Sequence, residues 1–149
     1  MTSRVVDDRS YPERPIAGVL AVARRRGRVL LAQRAKAPRP GLWGFVGGVQ
    51  EVGETVLAAA ARELREETGI EAESVAVLTA LDMIGRDEAG RVRTHFTLVA
   101  VLADWRSGEA APDADALALG WFTPEEVEER RMPCFPDTLR LMRMALALP

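Results

Sequence analysis

From Ile16 the chain concentrates its apolar positions in two short runs, IAGVLAVA and RVLLAQR, separated by the polar RRRG. Apolar runs of this length, bounded by a polar break that holds a glycine, predict two strands of a hairpin turning near Gly27. The next stretch, APRPGLWGFVGG, is too dense in proline and glycine for either period and reads as loop, with a short extended piece from Trp43 to Val46. The pattern then becomes helical. Leu57 and Leu64 fall on one stripe with Ala60 and Ala61 beside it, and Gly69 stands where a helix end favours glycine. A helix from near Glu54 and Thr55 to Gly69 is predicted, its narrow apolar face laid on a sheet.

Beyond it, SVAVLTALDMI and VRTHFTLVAVLADW carry residues suited to a half-buried pleated surface, and the turn residues DEAG lie between them, so a second hairpin is expected. WRSGEAAPDAD reads as a polar loop and ALALGWF as a further strand. Thr123 followed by Pro124, Glu125 and Glu126 is a helix start, with threonine as cap and proline at the first helical position, and the helix should run to about Arg131. In the last segment Leu139, Met142 and Leu146 recur at helical spacing and should pack on the sheet, its methionines serving as core filler. The opening residues have neither period and end among prolines. Residues 1–14 are therefore read as an arm and 15–149 as one domain.

Length and composition narrow the function classes. With 149 residues and 48% hydrophobic content, the chain suffices for one buried core. The 20 basic and 22 acidic residues nearly cancel, so no global field points to DNA or to a membrane surface. No long apolar run or secretory leader is evident, and the single cysteine, Cys134, has no partner for an internal disulfide, which suits a reducing, cytoplasmic setting. Nothing in composition fixes the oligomeric state, and a homodimer stays open.

The candidate chemistry lies in the helix. Glu63, Glu66 and Glu67 stand at i, i+3 and i+4, so their carboxylates share one stripe with the small Ala59 and Ala60 alongside. Like charges at that spacing repel unless a cation compensates. Oxygen-only donors specify a hard ion, Mg2+ foremost, with Mn2+ as the alternative and zinc disfavoured. On its own, such a cluster reads first as a solvated acidic helix face.

The flanking residues decide between these readings. Gly48, Glu54, Arg62, Glu63, Leu64, Glu66, Glu67, Gly69 and Ile70 fit every specified position of the box that marks the Nudix hydrolases, and the stretch closely resembles that family. The resemblance implies an α/β fold, an α/β/α sandwich around a mixed sheet in a single domain. It also implies hydrolysis of a nucleoside diphosphate linked to another moiety, with an ADP-ribose-like molecule or a nucleoside triphosphate as substrate. By matching position, Glu63, Glu66 and Glu67 are implied metal ligands, Gly47 lends its backbone carbonyl, and Arg62 and Glu54 complete the catalytic set. The family commonly has proline where this chain has Val46, which should alter loop stiffness rather than activity.

Outside the box, Arg34 ends a strand beside the loop and is a candidate phosphate-binding residue. His95, Trp43 and Trp121 read as structural, and Asp113 and Asp115 as a solvated loop. Two other readings compete. A non-catalytic nucleotide sensor of the same fold should show a degraded box or an added domain. An RNA-end pyrophosphohydrolase should show a basic groove with exposed aromatics, whereas the arginines of this chain look scattered along it.

Overall fold

The computed structural model describes residues 9–36 and 39–149. Ten elements follow in order: β1 (Ile16–Arg25), β2 (Arg28–Arg34), β3 (Trp43–Gly44), β4 (Val46–Val49), α1 (Val56–Thr68), β5 (Glu71–Arg86), β6 (Val92–Ser107), β7 (Ala116–Phe122), α2 (Pro124–Glu129) and α3 (Thr138–Ala147). The strands form one mixed sheet in the order β3-β2-β1-β6-β5, with β4 added on β1 and β7 on β2. Strand β1 is the hub. It pairs parallel with β6 along Ile16 to Arg24, while its other edge is shared by β4 opposite Gly18 to Ala21 and by β2 opposite Arg24 and Arg25.

The expected sandwich forms because the central strands are apolar on both faces. Val19, Ala21 and Ala23 of β1, with Val101 and Ala103 of β6, face one core beneath Ala59, Ala60 and Leu64 of α1. Val22, Ala100 and Leu102 face the other, beneath Val127 of α2 and Leu141, Met142 and Ala145 of α3. The caps are where the sequence placed them. Thr123 and Glu126 close a reciprocal capping box with Pro124 at the helix start.

Two local expectations need correction. Leu57 does not lie on the buried face of α1. It is 36% exposed, and the stripe that meets the sheet is Ala59, Ala60, Leu64 and Thr68. Two alanines and a threonine there let the helix lie close on the sheet, so the face is set by small size as much as by hydrophobicity. The second hairpin is also longer than its apolar runs: Arg106 and Ser107, read above as loop, continue β6, with Ser107 opposite Glu71. Backbone pairing extends there through polar side chains that face solvent.

Of the arm expected over residues 1–14, residues 1–8 lie outside the described residues. Tyr11 is placed against the hairpin tip, its N–H on the Arg93 carbonyl at 2.7 Å and its hydroxyl on Asp87 at 2.9 Å. The Arg91 guanidinium stands 4.5 Å from the centre of its ring.

Candidate functional site

The site is built where α1 crosses β4. Thr55 accepts from the Ala58 N–H at 3.0 Å and starts the helix, and Gly69, at φ 81°, ends it with its N–H on the Arg65 carbonyl. Ala59 and Ala60 are fully buried, so the helix lies close enough for Glu63 to rest on the backbone of Gly48. A Cβ at position 48 would sit 2.3 Å from Glu63 Oε1. Only glycine leaves room for that carboxylate.

Arg62 organises the acidic side chains. Its Nε and Nη2 donate to the two oxygens of Glu54 at 2.6 and 2.9 Å, a bidentate pair. Nη1 reaches Glu63 at 2.9 Å and Glu66 at 3.1 Å, and Nη2 also donates to the Val49 carbonyl at 3.1 Å. Glu54 is fixed in turn, because its Oε1 accepts from the Glu51 N–H at 3.1 Å and its carbonyl accepts from Gln50 Nε2 at 2.6 Å. The Arg62 hydrogen bonds hold the Glu54 carboxyl below the usual glutamate range, and the same pairing, with Glu54 first, raises Arg62 further. Gln50 and Glu51 escaped the sequence reading, since neither is a specified box position, Gln50 acting through its side-chain amide on a backbone carbonyl and Glu51 through its backbone N–H.

Glu67 stands apart from this lattice. Its Oε2 is buried with no hydrogen-bond partner, while the carboxylate accepts from the Gly47 backbone N–H. Burial first, then the charges of Glu63, Asp113 and Asp115, push its carboxyl up to about 8. Negative charge therefore accumulates around an oxygen that nothing positive reaches. Among the described residues no three acidic, histidine or cysteine side chains are gathered closely enough to hold an ion as they stand. Like charges separate, and Arg62 draws Glu63 and Glu66 toward itself. Even so, the donor set suits a hard divalent cation: it is all oxygen, it is poor in positive charge, and its Glu67 oxygen lacks a partner.

The loop before β7 reaches this region. Its Ala111 N–H bonds the Thr68 carbonyl at 3.0 Å, and the Asp115 carbonyl accepts from the Ala35 N–H at 3.1 Å. Asp113 and Asp115 are exposed, as expected of a solvated loop, yet their charges are felt at Glu67. A sequence shows an acidic loop but not its approach to a helix end. Arg34 lies on the same rim, at an irregularity in the β2–β7 pairing, with its N–H on the Leu42 carbonyl and its Nε on the Lys36 carbonyl. Lys36 pairs with Asp115 at 2.5 Å.

The remaining candidates lie elsewhere. Trp43 packs edge-on against Phe122 in the α3-side core and Trp121 packs against the α1-side core. His95 is half-buried opposite Ile84, in the hairpin arm that carries Tyr11. Val46 is buried and pairs with Ala21 as a regular member of β4. Cys134 is half-buried, burial raises its thiol, and its Sγ donates to the Met132 carbonyl.

A family model described as NUDIX domain matches residues 12–140. The CTP pyrophosphohydrolase of Escherichia coli K12 is 37% identical over 87% of this chain and 90% of its own length. An NAD-capped RNA hydrolase of Vibrio vulnificus is 34% identical over 73% of this chain, which spans only 39% of that protein. Among solved structures, a MutT NUDIX hydrolase from Burkholderia pseudomallei superposes with a TM-score of 0.75 at 33% identity, covering 89% of this chain and 98% of that one.

Proposed function

The chain belongs to the Nudix hydrolase family, and from that premise we propose that it is a divalent-metal-dependent pyrophosphohydrolase that cleaves a phosphoanhydride bond of a nucleotide, with a free nucleoside triphosphate as its leading substrate. The observation that carries the reading is the pairing of an ordered Arg62–Glu54–Glu63–Glu66 lattice with an unpartnered, buried Glu67 oxygen beside Gly47. A hard divalent cation, Mg2+ or Mn2+, would be held by the Gly47 carbonyl with Glu63, Glu66 and Glu67, and would supply charge neutralisation on phosphate oxygens and an activated water. Arg62 sets the direction of Glu63 and Glu66, and Glu54 holds Arg62 in place. Arg34, on the rim shared with Asp115, would meet the outer phosphates. Water adds to one phosphorus, the bridging P–O bond breaks, and the water's proton passes to a carboxylate of the cluster.

A nucleoside triphosphate leads because a relative that this chain covers almost end to end is a CTP pyrophosphohydrolase. An ADP-ribose-like diphosphate is the second substrate class. The sensor reading loses its support, since every carboxylate of the box is present and the Arg62 lattice is complete.

The test is product analysis over a panel of nucleoside triphosphates and ADP-ribose, with Mg2+ and with excess chelator. A triphosphate should give the monophosphate and pyrophosphate, and ADP-ribose should give AMP and ribose 5-phosphate, both only with metal. Release of ADP and free ribose, or full turnover in chelator, would overturn the reading.

A further inference from the structure

The RRRG run at the β1–β2 turn takes no part in the glutamate chemistry. The fold nevertheless gathers it: Arg24, Arg25 and Arg26 meet Arg106, Trp105 and Asp104 around an open cleft of about 380 Å³. Arginines far apart in the chain thus face one volume. Arg24 is fixed by its Nε on Asp104 at 2.6 Å and its Nη1 on the carbonyls of Ala145 and Leu148 at 2.6 and 2.7 Å, so the one acid of the lining is already matched. Arg25 lies 3.7 Å from the centre of the Trp105 ring, and the indole N–H is itself held on the Gly108 carbonyl at 2.7 Å. The acids that meet Arg25 and Arg106 from outside, Glu109 and Glu73, are 82% and 61% exposed, and ion pairs that open exchange readily with solvent and ligands. Arg26 makes no hydrogen bond or ion pair among the described residues.

The backbone at Arg26 points the same way. Arg24 pairs with Val29 and Arg25 with Arg28, which leaves Arg26 and Gly27 as a two-residue turn with φ of 51° and 77°. Positive φ at both positions is the type I′ geometry, which favours Asn-Gly and burdens a long side chain with a Cβ clash. An asparagine would make the better turn. It would not place a guanidinium at the lip of the cleft.

We propose that this cleft is a second anion site that binds the phosphate group of a phosphate ester, apart from the glutamate site. Gly108, which holds Trp105, packs on Gly69 just beyond the end of α1, so the cleft opens past the Glu67 end of that helix. Along β1, the step from Leu20, opposite Gly47, to Arg25 is about 16 Å at 3.3 Å per residue. The two sites therefore draw on different stretches of β1. The phosphate comes either from a second, free nucleotide or from the backbone of an oligonucleotide, and the two share the chemistry that arginine forks recognise.

The experiment uses calorimetric titration in chelator of the full chain carrying Glu67→Gln, with CMP in one arm and pentacytidylate RNA in the other. Arg26→Asn should lower the affinity for the bound probe by at least about fivefold, and Arg26→Asn with Arg106→Gln by at least about tenfold. Because Asn-Gly suits the turn, the melting temperature of Arg26→Asn should be unchanged or higher, which separates a lost guanidinium from a damaged fold. With Glu67 intact, Arg26→Asn should turn over a nucleoside triphosphate within about twofold of the parent. Weakening of both probes, or of CMP alone, assigns the site to a free phosphate monoester. Weakening of the RNA alone assigns it to a phosphodiester backbone. Failure of both probes to bind below about 1 mM, or affinities untouched in the double variant, would overturn the proposal.

Discussion

Arg62 shows how much one side chain can settle. Three of its nitrogens serve five acceptor oxygens on four residues, and its side chain is only 17% exposed, so its replacement strands Glu54 and Glu63 together. Arg62→Lys keeps the charge but loses the fork. It should cost about 1–3 kcal/mol in urea unfolding and lower kcat about 10- to 100-fold with little change in KM, since the ligands would be present but misdirected. Gly48→Ala should separate these effects, because its Cβ would push directly on Glu63 while leaving Arg62 on Glu54. Turnover should fall with only a small stability loss. Glu54 also gives the site an acid limb. Its carboxyl is held below the ordinary value of 4.5, so the folded state binds its proton less readily than the unfolded chain does. The stabilisation is complete above that value and is lost as pH falls through the lower, folded-state range. Acid unfolding of Glu54→Gln should lack this component; an acid limb identical to that of the parent would show that the pair contributes nothing.

At the scale of the element, α1 tests what the sequence could and could not say. Its start, stop and acidic stripe were legible because capping and spacing are local, and Thr55→Ala should cost about 1 kcal/mol through the lost cap. Its buried face was misread at Leu57. Helical period fixes which residues share a stripe, but the sheet fixes how near the helix comes, and Gly48 and Ala59 permit an approach that turns Leu57 outward. Leu64→Ala should therefore cost about 2–5 kcal/mol, whereas Leu57→Ala should change stability by less than about 0.5 kcal/mol. Equal losses in chemical denaturation would restore the face that period alone suggests. The long hairpin teaches the same lesson: Arg106 and Ser107 continue β6 beside β5 although their polarity reads as loop, because an antiparallel ladder needs backbone groups and not apolar side chains.

In the whole molecule, what stayed illegible is what the fold brings together from distant positions. Asp113 and Asp115 arrive at Glu67 through a loop pinned to Thr68 and Ala35, and the arginines of the β1–β2 turn meet Arg106 across the sheet. The box was readable because its members lie within two turns of one helix and the approach to it. The global consequence is a protein whose metal-free state crowds negative charge around Glu67 once that carboxyl ionises. Glu67 binds a proton more tightly folded, with its carboxyl pushed up to about 8, than unfolded, so the chelated protein should lose stability as pH rises from about 4.5 to about 8. Glu67→Gln removes that titration. In chelator at pH 8 the variant should be as stable as the parent or more stable by about 1–2 kcal/mol. Saturating Mg2+ should reverse the order, because the parent gains RT ln(1 + [metal]/Kd), about 2.7 kcal/mol at a hundredfold excess over Kd, and the variant gains less. Its turnover should be at least about a hundredfold lower. Melts of both proteins at pH 5 and pH 8, with chelator and with Mg2+, decide the matter. Equal metal responses with retained turnover would mean that the three glutamates are only a solvated helix face.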